Sequence, residues 1–202
     1  QTTAVYFVSK VVGAALGFAG TVYFARILGA EVLGHYFLVL ALTGWLGIVG
    51  ELGVTKAITK RLSEGDEPSA YFSAGAVSMV VFAVFVAAGV LLFSPFINSY
   101  IGTTAASYVA LLLFPMLFVG LVDAALQGQH LVHISGILST VRIGVRSLLQ
   151  IALVLAGFQL VGMVAGYVLG VVLIGLLGMR YLTVQYQRPT LNHFRRLFSF
   201  AK

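Results

Sequence analysis

Residues 77–93 are apolar around the whole circumference of a helix and carry no charge, a pattern that suits the hydrocarbon core of a bilayer and not the surface of a globule in water. The same pattern recurs. In windows of about 19 residues, apolar segments cover 6–24, 33–50, 70–96, 108–126, 134–155 and 160–182. Turn or charge chemistry interrupts them at 26–34, 56–68, 94–104, 127–133 and 157–159. A transmembrane strand would instead alternate apolar and polar residues over about ten positions. The chain therefore reads as an all-α integral membrane protein, a bundle of six transmembrane helices in a multi-pass arrangement.

Composition agrees. Of 202 residues 60% are hydrophobic and 9% charged, whereas soluble domains run near 45–50% apolar and about 25% charged. The net charge of +6 is nowhere dense enough to grip nucleic acid, so the bilayer itself is the expected partner. Cys is absent, which removes disulfides, thiolate nucleophiles and Cys-ligated zinc.

Lys and Arg placement sets the orientation. Lys56, Lys60 and Arg61 share one loop and Arg180, Arg188, Arg195, Arg196 and Lys202 lie in the tail, while 94–104 and 157–159 carry none. Both ends of the segment are then expected in the cytoplasm, in the cell membrane, with only Arg26 on the outer side. Residues 1–186 form the transmembrane lobe. Beyond it, 187–202 carry Arg188-Pro189 and then Leu191, Phe194, Leu197 and Phe198 at helical spacing beside Arg195 and Arg196, an amphipathic cytoplasmic linker expected on the inner membrane face. Gln1 in place of a starting Met, and a linker that leads on from Lys202, make this chain a piece of a longer protein in expectation.

Small residues mark close helix contacts. Gly13 with Gly17, and Gly162, Gly166 and Gly170, stand at four-residue spacing, which lets backbones approach in lipid.

Charges inside spans cost about 2.5–3.5 kcal/mol near the centre, so each calls for a reason. At 100° per residue Ser135, Ser139, Arg142, Arg146 and Gln150 share an arc about 80° wide. This polar stripe must face protein or water, and its two cations suit a phosphate or diphosphate. The structural alternative has Arg142 reaching the cytoplasmic interface and Arg146 paired with an acid. Asp123, Gln127 and His130 likewise share one face, with Asp123 the natural partner for an Arg of the stripe or else an ion or proton site. Glu51 sits among Gly47, Gly50 and Gly53, an ion site or an interfacial residue near Lys56. Lys10 falls within the first span. Arg26, at the outer end of that span, reaches a phosphate or the lipid headgroups.

Enzyme signatures are missing. No phosphate-loop or H-E-x-x-H motif occurs, Ser199 to Lys202 matches S-x-x-K without its companion motifs, and His130 with His133 lacks further ligands. No cofactor, no metal and no enzymatic activity are expected. A membrane-embedded sugar transferase would need carboxylates or His at a cleft, and only Asp123 and Glu51 lie inside spans.

Ala25-Arg26-Ile27-Leu28-Gly29, then Gly34-His35-Tyr36, Glu51-Leu52-Gly53 and the basic run 56–64 resemble the opening of Wzx-type polysaccharide flippases of the multidrug/oligosaccharidyl-lipid/polysaccharide exporter superfamily. Arg188-Pro189-Thr190-Leu191 with Phe194, Arg195, Arg196 and Leu197 resembles the linker between that fold's two lobes. The resemblance implies one lobe, the N-terminal one, of a two-lobe V-shaped exporter. It also implies a missing C-terminal lobe as partner and a lipid-linked, phosphate- or diphosphate-bearing oligosaccharide flipped by alternating access. In related flippases first-lobe cations hold the diphosphate, a role that carries over to Arg26 by its motif; Arg142, Arg146 and Gln150 join it through the helical stripe. The alternative is a cation-coupled multidrug exporter of the same superfamily, whose acidic residue in the first helix this sequence lacks.

Overall fold

A computed structural model of the protein describes residues 2–51 and 53–199; it leaves out the side chains at 2–6, 9, 10, 16, 49 and 50, so Lys10 lies outside the described side chains. The described chain is helical: α1 (Thr2–Glu51), α2 (Val54–Glu64), α3 (Pro68–Leu92), α4 (Ser94–Ile101), α5 (Ala105–Gly128), α6 (Val132–Leu155), α7 (Gln159–Met179) and α8 (Leu191–Phe198). Among the described residues five apolar stretches are long enough to cross a membrane, namely Val11–Ile48, Pro68–Leu92, Ala105–Gly128, Val132–Leu155 and Gln159–Met179. At about 1.5 Å per residue each exceeds the ~30 Å hydrocarbon core. Large apolar side chains such as Trp45, Phe85, Leu92 and Leu148 point outward, as lipid-facing surface allows.

Helix α1 is not straight. Gly29 has φ 80 and ψ 169, a conformation that interrupts the helical ladder and that only glycine adopts easily. Residues on both sides of it, from Gly17 to Phe24 and from Leu33 to Leu40, line one cavity. A continuous helix would hold Gly17 and Leu40 about 35 Å apart, so the two arms of α1 lie side by side.

Helix α5 occupies the centre and packs against α1, α2, α3, α6 and α7. The α6–α7 contact is the closest, and its cause is the glycine row. A Cβ on Gly166 would stand 2.7 Å from the Gln150 backbone nitrogen, and one on Gly170 2.7 Å from the Arg146 Cα. A Cβ on Gly13 would meet only the end of the Ile143 side chain, at 2.8 Å, and one on Gly17 nothing within 4 Å. Thus one glycine of the first pair packs a helix and the other borders open space.

Two segments read as breaks are helical. Residues 54–64 bury Val54, Ala57, Ile58 and Leu62, an apolar stripe at helical spacing that lays α2 across the ends of α3 and α5 despite its lysines. Residues 94–101 form α4, started by the Pro following Ser94.

After α7 the chain runs extended along the same end of the bundle. The backbone N–H groups of Thr183, Gln185 and Gln187 donate to Gln129 Oε1 (3.3 Å), Ser69 Oγ (3.2 Å) and Ser73 Oγ (3.0 Å). Alternate residues thus face the bundle, as an extended segment dictates. Helix α8 follows, capped by His193 Nδ1 accepting from the Thr190 N–H at 2.9 Å. That bond leaves the ring proton on Nε2, which donates to Glu67 Oε2 at 2.8 Å. The apolar side of α8, whose amphipathicity suggested the membrane surface, meets protein over part of its length. It packs on α2 and α3, with Leu197 fully buried and Phe194 and Phe198 beside it, because Val54, Ile58 and Tyr71 already form an apolar surface there.

Candidate functional site

The α6 stripe divides into a paired part and an unpaired part. At its start Ser135 Oγ donates to Asp123 Oδ1 (3.4 Å) and Arg142 Nη2 donates to Asp123 Oδ2 at 2.9 Å. This joins α6 to α5. The ion pair is partly exposed, at 17% for Arg142 and 23% for Asp123, and the shared hydroxyl helps to satisfy the carboxylate in a setting where an isolated charge is costly.

One turn further, Arg146 has no such partner. Its guanidinium stacks over the Tyr167 ring, 5.1 Å from the centroid, and its buried Nε has no hydrogen-bond partner among the described residues. A cation–π contact is worth about 0.5–2 kcal/mol, far less than hydrated or ion-paired charge, and Arg does not lose its proton to escape the cost. The side chain lines a small cavity of about 50 Å³ with Gly17, Gly20, Thr21, Tyr36 and Ser147. Gln150, 3% exposed, closes its far side by donating through Nε2 to Tyr36 Oη and to the Met163 carbonyl, both at 2.8 Å. The amide hydrogens of Gln150 are therefore committed to protein. Ser139 is also buried and donates to the Gly136 carbonyl at 2.8 Å.

Asp123 also borders a second, wider cavity of about 540 Å³ at the end of the bundle where α2 lies, together with Glu51, Thr55, Lys56, Thr59 and Gln127. Thr55 Oγ1 donates to Glu51 Oε2 at 3.3 Å. The Arg142–Asp123 pair thus stands between this vestibule and Arg146.

A family model described as polysaccharide biosynthesis protein matches residues 1–202. The chain belongs to that family. Among curated proteins it is similar to the probable low-salt glycan biosynthesis flippase Agl15 of Haloferax volcanii, 29% identical over 203 residues, covering 97% of this chain and 42% of that protein. It is also similar to the probable flippase AglR of the same organism, 26% identical over 204 residues, covering all of this chain and 43% of the relative. The chain thus spans less than half the length of these relatives. No solved structure gives a significant match. The family and both relatives agree with the resemblance to polysaccharide flippases.

Against this family background the expected site residues separate. Arg142, Arg146 and Gln150 follow one another along α6, and Asp123 and Glu51 share the vestibule wall. Arg26 does not join them. It is exposed and, at 100° per residue, lies about 160° from Phe24 around the helix, away from the face that lines the Arg146 cavity. Sequence reading quoted Tyr36 only as part of a motif and gave no site role to it or to Tyr167, the two rings that line the surroundings of Arg146, nor to Thr55 and Thr59 in the vestibule. Tyr167 had a legible signal, since it lies within the Gly162–Gly166–Gly170 row.

Proposed function

We propose that the protein of which this chain is one lobe flips a lipid-linked glycan across the cell membrane, with Arg146 receiving the phosphate or diphosphate. The observation that carries this reading is a permanent cation inside an apolar bundle, with a buried donor that no group among the described residues accepts from. An anion supplies the missing acceptor, and a guanidinium presents two parallel N–H groups that match phosphate oxygens. Arg142 is the second cation, released when substrate competes with Asp123 for it. The glycan-biosynthesis name of Agl15 supports the substrate class, and the flippase names of both relatives weigh against the drug-exporter alternative.

The two side-by-side arms of α1 each have the length and hydropathy of a span, which makes six spans in the lobe. An even count puts both ends of 1–186 on one side. The Lys and Arg of α2 and of the tail assign that side to the cytoplasm. The segment 187–202 then leads on to a second lobe, and the two lobes form the V of an alternating-access transporter. The prenyl or acyl tail stays in the bilayer while the head crosses, which avoids exposing hydrocarbon to water at about 25 cal/mol per Å². Transport, with no bond made or broken in the substrate, is the activity.

The test uses the full-length protein in proteoliposomes with a fluorescent lipid-linked oligosaccharide. Arg146→Ala is expected to cut the initial flipping rate by at least about tenfold, the loss of one charged hydrogen-bond partner, and Arg146→Lys to retain part of it. A triple Arg26→Ala, Arg142→Ala, Arg146→Ala protein that is folded and flips at the unmodified rate sinks the phosphate reading.

A further inference from the structure

The vestibule beside Asp123 has a chemistry different from that of the Arg146 cavity. Its volume of about 540 Å³ falls within the ~300–1,000 Å³ of small-molecule sites. The wall offers acceptors in Glu51 and Asp123, donors in Lys56 and Lys60, and hydroxyl and amide groups of both kinds in Thr55, Thr59 and Gln127. Its formal charges cancel, two carboxylates against two ammonium groups. Part of that charge is already engaged, Asp123 by Arg142 at 2.9 Å and Lys60 by Glu64 at 3.8 Å.

A neutral lining of this kind does not select a phosphate, which calls for an excess of positive charge. Nor does it hold a metal ion. Among the described residues no group of three His, Asp or Glu side chains is arranged to bind one, and the cavity is far too wide to coordinate one. What the wall matches is a neutral polyol, whose hydroxyls donate to carboxylates and accept from ammonium, amide and hydroxyl groups. Gly120, also in the wall, leaves room for the Glu51 carboxylate: a Cβ there would stand 3.1 Å from Glu51 Oε1. The position fits as well, because Asp123 is shared between the vestibule and the arginine pair, and Arg142 and Arg146 are about 6 Å apart along α6.

The geometry points to the vestibule as a sugar site: Glu51, Lys56 and Thr55 hydrogen-bond the sugar unit next to the phosphate while the arginines of α6 hold the phosphate itself. This rests on the flippase reading above. Glu51 is then a sugar-recognition residue, and the Arg142–Asp123 pair is the partition between the two halves of the head-group site.

Two water-soluble probes separate the halves: farnesyl diphosphate, and farnesyl diphosphate carrying a hexose disaccharide, each titrated by calorimetry against the full-length protein in nanodiscs. The unmodified protein is expected to bind the sugar-bearing probe about tenfold more tightly, the worth of a few extra hydrogen bonds. Glu51→Gln combined with Lys56→Gln is expected to erase that gain and leave the bare probe unaffected, and Thr55→Val to erase part of it should the double variant fail to fold. Arg146→Ala weakens both probes alike. Equal affinity of the unmodified protein for the two probes, or equal weakening of both by the vestibule variants, overturns the sugar site. Unchanged binding of both probes by Arg146→Ala overturns the phosphate reading instead.

Discussion

Arg142 and Arg146 lie one turn apart on the same helix face, and the structure treats them in opposite ways. Arg142 is answered by Asp123 and indirectly by Ser135; among the described residues Arg146 is answered by a tyrosine ring alone. The pair at Arg142 joins α5 to α6 and belongs to the architecture. The open valence at Arg146 adds little to the fold beyond the ring contact, since a partly buried guanidinium whose buried Nε has no acceptor among the described residues is only partly compensated for its lost hydration. Identical residues on one stripe therefore serve different ends, and the distinction lies in the partner.

That contrast can be broken or sharpened by substitution, with thermal or denaturant unfolding of the purified protein as the measurement. The largest effect is expected from Gly170→Val. The added carbon meets the Arg146 Cα at 2.7 Å, and backbone cannot swing aside as a side chain would, so a loss of about 3 kcal/mol is expected, at the upper end of overpacking costs. Arg142→Ala comes next, at about 2 kcal/mol, below the 3–5 of a fully buried broken pair because both partners are partly exposed. Combining it with Asp123→Ala should restore much of the stability; a double variant as unstable as the sum of the singles would mean that the pair is not coupled. Gln150→Leu removes both amide donations, to Tyr36 and to Met163, for about 1.5 kcal/mol. The smallest change belongs to Arg146→Met, within about 1 kcal/mol, as the lost cation–π contact offsets the removed charge. Should it destabilise the protein as much as Arg142→Ala does, the two arginines are both architectural and the contrast fails.

Much of the architecture was legible in the sequence, because hydropathy along a helix reports directly on lipid exposure. The α6 stripe was legible too, as an angle. Depth was not. Helical spacing tells which residues share a face but not which one reaches a given residue of α5. The choice of Arg142 for Asp123 follows from how far α6 slides along its neighbours, a register set by contacts such as Gly166 on Gln150 and Gly170 on Arg146. Arg26 illustrates the converse. Its motif marks the end of a span, yet the face that turns inward there is that of Thr21 and Phe24. The amphipathicity of α8 was plain in the sequence, but lipid and protein satisfy an apolar face equally well. Only the assembled surface of α2 and α3 decides for protein, with Leu197 as the residue it covers.

Gly17 carries one more consequence, for how such a protein diversifies. It borders the cavity at Arg146, and nothing stands within 4 Å of where its side chain would begin. Replacement by Ala places its methyl carbon in contact with nothing, yet it takes up part of a space of only about 50 Å³. Selection is therefore free to change that one codon without refolding the bundle. If Arg146 receives the phosphate as proposed, the size of the residue at this position would track, across a lineage, the bulk of the head group carried.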